Sequence, residues 1–171
     1  MEEFLIVDGY NIIGAWPELR ELKMKGELDL ARETLVDWLN EYQAYSGKRV
    51  ILVFDAHFVP GSGKKYKNKR ITVYYTKENE TADERIEKLV ADLHHRKRQI
   101  YVATSDYTEQ RVIFGQGALR ISARELAIEK ENTQKSIKNK VVEENRSSKK
   151  TVASLLDDEI IKIFENWRRN K

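Results

Sequence analysis

The sequence predicts an α/β protein with a doubly wound, mainly parallel sheet of about five strands and a C-terminal helical extension. Two observations support this fold class. Short runs rich in β-branched residues alternate with longer segments of helical periodicity. The run at residues 50–54 is apolar throughout, which is typical of a strand buried on both faces of a parallel sheet. The alternation favours right-handed crossovers, which place helices on both faces of the sheet.

Five runs along the chain predict the strands. They lie at residues 4–8, 49–55, 71–76, 99–106 and 118–122. We expect the order strand, helix, strand, short connection, strand, helix, strand, helix, strand, helix. In open sheets of this kind, ligands bind beyond the carboxyl ends of the strands, so we expect the functional residues there.

Apolar residues at helical spacing predict two of the connecting helices. The helix between the first two strands ends near Gly47, and its apolar residues are Leu30, Leu35, Val36, Leu39 and Tyr42. The apolar residues of the helix between the third and fourth strands are Ala82, Ile86, Leu89, Val90 and Leu93. Both patterns indicate amphipathic helices that pack on the sheet.

The composition changes after residue 128. Residues 129–150 are almost entirely polar, which predicts a solvated helix or a linker. Apolar residues then return at helical spacing, at Val152, Leu155, Leu156, Ile160, Ile163, Phe164 and Trp167. We therefore predict one domain at residues 1–128, and at residues 129–171 a polar helix or linker followed by a helix that packs on the same domain.

The composition excludes several kinds of functional site. The chain has 171 residues and no cysteine, so disulfides, cysteine-ligated zinc and thiol nucleophiles are excluded. Its first residues run directly into a strand, without the features of a signal peptide. No stretch has the roughly 18 apolar residues of a membrane-spanning helix. We expect a cytoplasmic protein without a membrane partner, and the net charge of +3 is too small to identify any other partner.

Three of the predicted strands end in an acid, at Asp8, Asp55 and Asp106. A single aspartate at this position is often a helix N-cap or a turn former, so each one alone has a structural explanation. If the three strands are neighbours, however, the carboxylates converge at one edge and raise one another's pKa. A divalent cation such as Mg²⁺ resolves this repulsion, because it prefers carboxylate oxygens and retained waters.

A further acidic cluster lies at residues 80–87, where the helix before the fourth strand begins. Thr81 and Glu84 have the spacing of a capping box, and acids in a first turn favour the helix dipole. Helical geometry places Glu80, Glu84 and Glu87 opposite the apolar stripe, so solvent exposure explains them. Asp83 lies at the border of that stripe. We therefore favour Asp83 over Glu84 as a metal ligand.

These residues resemble the motifs of the NYN domain, a PIN-like nuclease fold, and most closely those of its YacP-like branch. The resemblance rests on residues 8–11 (DGYN), 53–56 (VFDA), 80–84 (ETADE) and 104–106 (TSD), and it extends through residues 115–118 and 122–126. It implies a metal-dependent endoribonuclease that uses Mg²⁺ or Mn²⁺, associates with the ribosome and cuts translated mRNA. It also assigns roles by motif: Asp8, Asp83 and Asp106 as metal ligands, Asn11 as a supporting polar group, and Asp55 and Glu84 as further candidates.

A basic segment before the third strand is the candidate RNA-binding element. Five of the seven residues from Lys64 to Arg70 are basic, and the segment follows two glycines. Lysines and arginines neutralise phosphates, and an aromatic ring stacks on a base. The residues concerned are Lys64, Lys65, Tyr66, Lys67, Lys69 and Arg70. Surface lysines that face solvent are the alternative. The segment lacks the residues of a Walker A loop, which makes ATP binding by that route a poor explanation.

Two other functions compete with the ribonuclease. A noncatalytic protein that binds RNA or the ribosome would keep the fold and the basic segment but would not cut. A small-molecule phosphotransfer enzyme or receiver domain would use the same kind of sheet. The sequence disfavours the last class: Tyr10 stands where a haloacid-dehalogenase-type phosphatase needs a second aspartate, and Tyr75 and Thr76 stand where a receiver needs its phosphorylated one.

Overall fold

The computed structural model describes residues 1–56, 70–105 and 115–169, and describes residues 150–158 by their backbone. Within these ranges the strands form one five-stranded sheet in the order β3-β2-β1-β4-β5, and every pair is parallel. The strands are β1 (Glu2–Asp8), β2 (Arg49–Phe54), β3 (Thr72–Tyr75), β4 (Arg98–Ala103) and β5 (Leu119–Ile121). The predicted doubly wound α/β fold is therefore confirmed.

The first crossover contains more helices than the sequence predicts. The structure has α1 (Gly9–Ala15), α2 (Pro17–Met24) and α3 (Leu28–Ser46) between β1 and β2. The first two are 7 and 8 residues long, so neither has enough turns for an apolar period to stand out. α3 ends as predicted, because Gly47 adopts the left-handed conformation at φ 74°.

The second half of the chain adds two further helices in the described ranges. They are α4 (Ala82–Leu93) and α5 (Ala123–Arg169), which is 47 residues long. The helix predicted between β4 and β5 falls largely on residues 106–114, outside the described residues. Among the described residues, no helix is long and apolar enough to cross a membrane.

The sheet separates two hydrophobic clusters. Leu5 and Val7 of β1 pack with residues of α1, α2, α3 and the start of α5. Phe4 and Ile6 pack with residues of α4. This division follows from the pleat, since alternate residues of a strand face opposite sides of the sheet.

The chain divides into two compact units, Met1–Lys130 and Glu131–Lys171. The first turn of α5 belongs to the first unit, where the indole nitrogen Nε1 of Trp16 donates a 2.8 Å hydrogen bond to the carbonyl of Ala123. In the second unit, the polar segment that we predicted as a helix or linker is helical.

The last turns of α5 carry the apolar residues for which the sequence predicts packing. Phe164 is 60% exposed and Trp167 is 68% exposed. The predicted packing of this helix on the same domain as residues 1–128 stays a prediction.

Candidate active site

The carboxyl ends of neighbouring strands form the candidate active site. β1 lies between β2 and β4, and the register pairs Asp8 with Val53 and Val7 with Ala103. Asp55 follows Val53 by two residues, so its backbone lies at the same edge of the sheet as Asp8. The order β3-β2-β1-β4-β5 reverses direction between β1 and β4, and ligands of doubly wound folds bind at such a switch point.

Asp8 lies on the side of the sheet that α4 covers. Phe4 and Ile6 face α4, and Asp8 continues this alternate series as the last residue of β1. Its side chain is buried, with 8% exposure. Asp8 also stands at the N-cap position of α1, but its side chain makes no capping hydrogen bond there. Helix capping, which the sequence offers as an alternative role, therefore does not explain this carboxylate.

The turn after Asp8 fits closely against β2. A Cβ atom added at Gly9 would collide with the ring of Phe54, so only glycine fits this position without movement. The ring of Tyr10 also packs near Phe54, with the two ring centroids 5.1 Å apart. The hydroxyl of Tyr10 accepts a 3.0 Å hydrogen bond from Nη1 of the buried Arg32, which also pairs with Asp29. These contacts fix the backbone that carries Asp8.

Two side chains from other elements hold the segment that follows β4. Oδ1 of Asn11, in α1, accepts hydrogen bonds from both the backbone nitrogen and the hydroxyl of Ser105, each 2.8 Å long. Nε of Arg120, in β5, donates a 3.0 Å hydrogen bond to the carbonyl of Thr104. Asn11 thus links the turn after β1 to the end of β4. The sequence analysis missed Arg120, because its position in β5 alone gives no functional signal.

α4 begins at the same edge of the sheet. Ala82 packs in one cluster with Ile6 of β1 and Val53 of β2. Thr81 caps the helix by accepting a 3.2 Å hydrogen bond from the backbone nitrogen of Glu84. Asp83 is half-buried, whereas Glu84 is exposed. Asp83 therefore occupies the predicted border between the buried and solvated faces.

Glu80 corrects one prediction. We expected it to be solvent-exposed, but it is buried, with 6% exposure. Its carboxylate accepts hydrogen bonds of 2.5 and 3.2 Å from Nε and Nη2 of Arg85, and Nζ of Lys88 lies 3.5 Å away. Helical periodicity does not apply to Glu80, because the residue precedes the helix and its cap. The carboxylate anchors the start of α4, near Asp83.

Several predicted site residues lie outside the described residues. They are Asp106, the third proposed metal ligand, and the RNA-binding candidates Lys64, Lys65, Tyr66, Lys67 and Lys69. Arg70, the last of that series, is described and its side chain is exposed. Its backbone nitrogen donates a 3.0 Å hydrogen bond to Oδ1 of Asn40, and its carbonyl accepts one of 3.1 Å from Gln43. α3 therefore holds the residue at which the basic segment enters β3.

The donor chemistry at this edge fits a hard divalent cation. Asp8, Asp55 and Asp83 offer carboxylate oxygens, which Mg²⁺ and Mn²⁺ prefer over nitrogen or sulfur donors. Asp8 is buried and does not cap α1, so its carboxylate is not committed to the helix terminus that follows it. In residues 1–56, 70–105 and 115–169, no group of three or more His, Cys, Asp or Glu side chains is arranged to hold a metal. A complete ligand set therefore requires Asp106 or a rearrangement of the described acids.

Comparisons with known proteins agree with this architecture. The family model of the YacP-like NYN domain matches residues 5–169. The chain is 54% identical over 167 residues to the "Uncharacterized protein YacP" of Bacillus subtilis strain 168, covering 98% of this chain and 97% of that protein. The crystal structure of Rae1 (YacP) from Bacillus subtilis is similar with a TM-score of 0.76, at 54% identity and with 97% and 94% of the two chains covered. A tryptophan-to-leucine mutant of Rae1 matches with a TM-score of 0.72 at 55% identity, covering 81% and 80% of the chains.

Proposed function

The chain belongs to the YacP-like NYN domain family, a nuclease family of RNase type, and we propose that it is a divalent-metal-dependent endoribonuclease. The main support for this proposal is the position of Asp8. Its buried carboxylate stands at the switch point of the sheet, is not used to cap α1, and lies at the same edge as Asp55 and the start of α4.

Asp8, Asp83 and Asp106 would hold the metal, with Asp55 and Glu84 as further candidates. When bound there, Mg²⁺ or Mn²⁺ lowers the pKa of a water and screens the charge of the scissile phosphate. Asn11 acts by positioning, because its two hydrogen bonds to Ser105 fix the residue that precedes Asp106. Glu80 and Arg85 act in the same way on the first turn of α4.

We propose that the substrate is mRNA and that the basic segment binds its phosphates. Lys64, Lys65, Lys67, Lys69 and Arg70 supply positive charge and Tyr66 supplies a stacking surface. The attachment of Arg70 to α3 supports this role, since it holds one end of the segment on the folded body. The resemblance to the YacP-like branch adds that the enzyme cuts messages on the translating ribosome, which agrees with the cytoplasmic location that we expect from the sequence.

The substitution Asp8→Asn tests the nuclease proposal. The change keeps the size of the side chain and removes its charge, so we expect an intact fold and loss of Mg²⁺- or Mn²⁺-dependent RNA cleavage. Because like charges at one edge destabilise each other, the metal-free variant should be at least as stable as the wild type. Cleavage rates and thermal unfolding of both proteins in EDTA measure the two effects.

Asp37→Asn is the matched control, because Asp37 is an exposed acid on α3. It should leave cleavage unchanged. Full activity of purified Asp8→Asn would exclude the proposed metal ligand. Tight RNA binding by the wild type without cleavage at any Mg²⁺ or Mn²⁺ concentration would favour the noncatalytic RNA-binding alternative.

A further inference from the structure

Arg120 brings a positive charge to the acidic edge of the sheet. Alternate residues of β5 face opposite sides, and Ile121 packs in the cluster of α1, α2 and α3. Arg120 therefore faces the α4 side, as does its register partner Val102 in β4. Asp8 faces this same side from β1.

The reach of the side chain brings the guanidinium to the end of β4. Arg120 stands level with Val102, but its Nε bonds to the carbonyl of Thr104, two residues further along. Thr104 follows Ala103, which is paired with Val7, so Thr104 stands one step beyond the last β1–β4 pair and level with Asp8. The guanidinium is therefore fixed on the strand next to Asp8, at the switch point.

The bond to Thr104 also orients the guanidinium. It uses Nε, one of the five N–H donors of an arginine side chain. A half-buried guanidinium that a backbone hydrogen bond already orients loses less conformational freedom when it binds a phosphate than a solvated lysine does. Planar guanidinium groups also match the oxygens of a phosphate.

An edge that carries Asp8, Asp55 and Asp83 repels a polyanion, so RNA needs compensating charge close to the carboxylates. We propose that Arg120 contacts a phosphate of the bound RNA at the candidate active site. The proposal rests on the proposed nuclease function and deepens it, because it names a substrate-binding residue at the same site.

RNA binding without catalysis tests the proposal directly. The affinity of a single-stranded RNA oligonucleotide is measured in EDTA across a series of salt concentrations, for the wild type, Arg120→Gln and Arg120→Lys. We expect Arg120→Gln to weaken binding roughly tenfold, as loss of a charge-assisted contact does. The slope of log affinity against log salt should fall by about 0.7, the value for one phosphate contact on a single strand. Arg120→Lys should keep the slope and recover part of the affinity.

Arg96→Gln is the matched control, since Arg96 is exposed and lies between α4 and β4 at the opposite edge of the sheet. It makes the same change of charge and should leave both affinity and slope unchanged. Steady-state cleavage gives a second readout: Arg120→Gln should raise KM more than it lowers kcat. Thermal unfolding of each variant identifies any loss of folding.

Equal affinity and equal salt slope for the wild type and a folded Arg120→Gln variant would overturn the proposal, and so would a wild type that binds no RNA at low salt. If Arg120→Gln does not fold, the folded Arg120→Lys variant decides. Weaker binding than the wild type at an unchanged salt slope, with Arg96→Gln unchanged in both, supports the arginine contact; unchanged binding by Arg120→Lys overturns it. The nuclease proposal fails separately, if the wild type binds RNA in an Arg120-dependent way but never cuts it.

Discussion

Gly9 shows how one missing side chain sets the geometry of the candidate site. It follows Asp8 directly, and its backbone lies against the ring of Phe54 and the carbonyl of Val53. The sequence indicates a glycine at a turn, but the close contact with Phe54 depends on the packing of β1 against β2, which lie more than forty residues apart in the chain. Asp8 is thus held in place by a contact that local sequence patterns do not contain.

Gly9→Ala should destabilise the protein and disturb the candidate site. The added methyl group overlaps the Phe54 ring, so the ring or the turn must move, and overpacking of this kind costs about 1–3 kcal/mol in the free energy of unfolding. Urea unfolding measures this loss.

Gly14→Ala in the same helix is the matched control, because nothing lies within 4 Å of a Cβ atom added there. That change should raise stability by about 0.5–1 kcal/mol, as alanine does inside helices. Similar effects of the two substitutions would refute the close contact.

At the scale of elements, a partly buried polar cluster attaches the first turns of α5, which belong to the first unit, to α3. The hydroxyl of Tyr42, in α3, donates a 2.6 Å hydrogen bond to Oε2 of Glu129, in α5. It accepts a 3.4 Å hydrogen bond from Nζ of Lys48, and that amine lies 4.8 Å from the centre of the Tyr101 ring. Burial, and then the neighbouring Glu129 carboxylate, hold the pKa of Tyr42 well above its ordinary value. Burial also raises the pKa of Tyr101.

The raised pKa of Tyr42 predicts a loss of stability at alkaline pH. The folded protein keeps the phenol neutral, whereas the unfolded chain releases its proton near pH 10. The contribution is fully present below about pH 10 and is lost as pH rises toward the folded pKa, at about 1.4 kcal/mol per pH unit for each such group. Tyr42→Phe should lower stability by about 1–2 kcal/mol at neutral pH and flatten the alkaline slope, leaving the part due to Tyr101. Urea unfolding between pH 8 and 11 measures both the loss of stability at neutral pH and the change in the alkaline slope.

Tyr45→Phe is the control, since it removes a more exposed hydroxyl from the same helix. An alkaline slope that is identical in Tyr42→Phe and the wild type would contradict the assignment to Tyr42.

At the scale of the whole molecule, the sequence predicts the centre of the parallel sheet well, because β1 and β2 contain apolar runs buried on both faces. The sequence also predicts α3 and α4, because each helix has enough turns to show an apolar stripe. The two short helices after β1 lack that signal. The prediction that Glu80 is exposed is wrong, because its burial depends on Arg85 and Lys88, which fold back onto a residue that precedes the helix. Arg120 was missed because its role depends on the alignment of β5 with β4.

The proposed recognition of a translated message concerns the whole molecule, since a carboxylate edge and a basic segment alone would give little selection among RNAs. If the ribosome helps to orient the mRNA in the candidate active site, the cleavage rate rises because of that orientation and not only because of contacts between the enzyme and the RNA. We therefore expect weak cutting of free RNA and stronger cutting of the same RNA during translation. Cut sites are mapped in one message with initiation allowed and with initiation blocked, and Asp8→Asn serves as the blank. Cuts that depend on both translation and Asp8 are the expected result. Equal cutting in the two conditions would remove ribosome dependence and leave the nuclease proposal standing, whereas translation-dependent cuts that persist at the wild-type level in Asp8→Asn would count against Asp8 as a metal ligand.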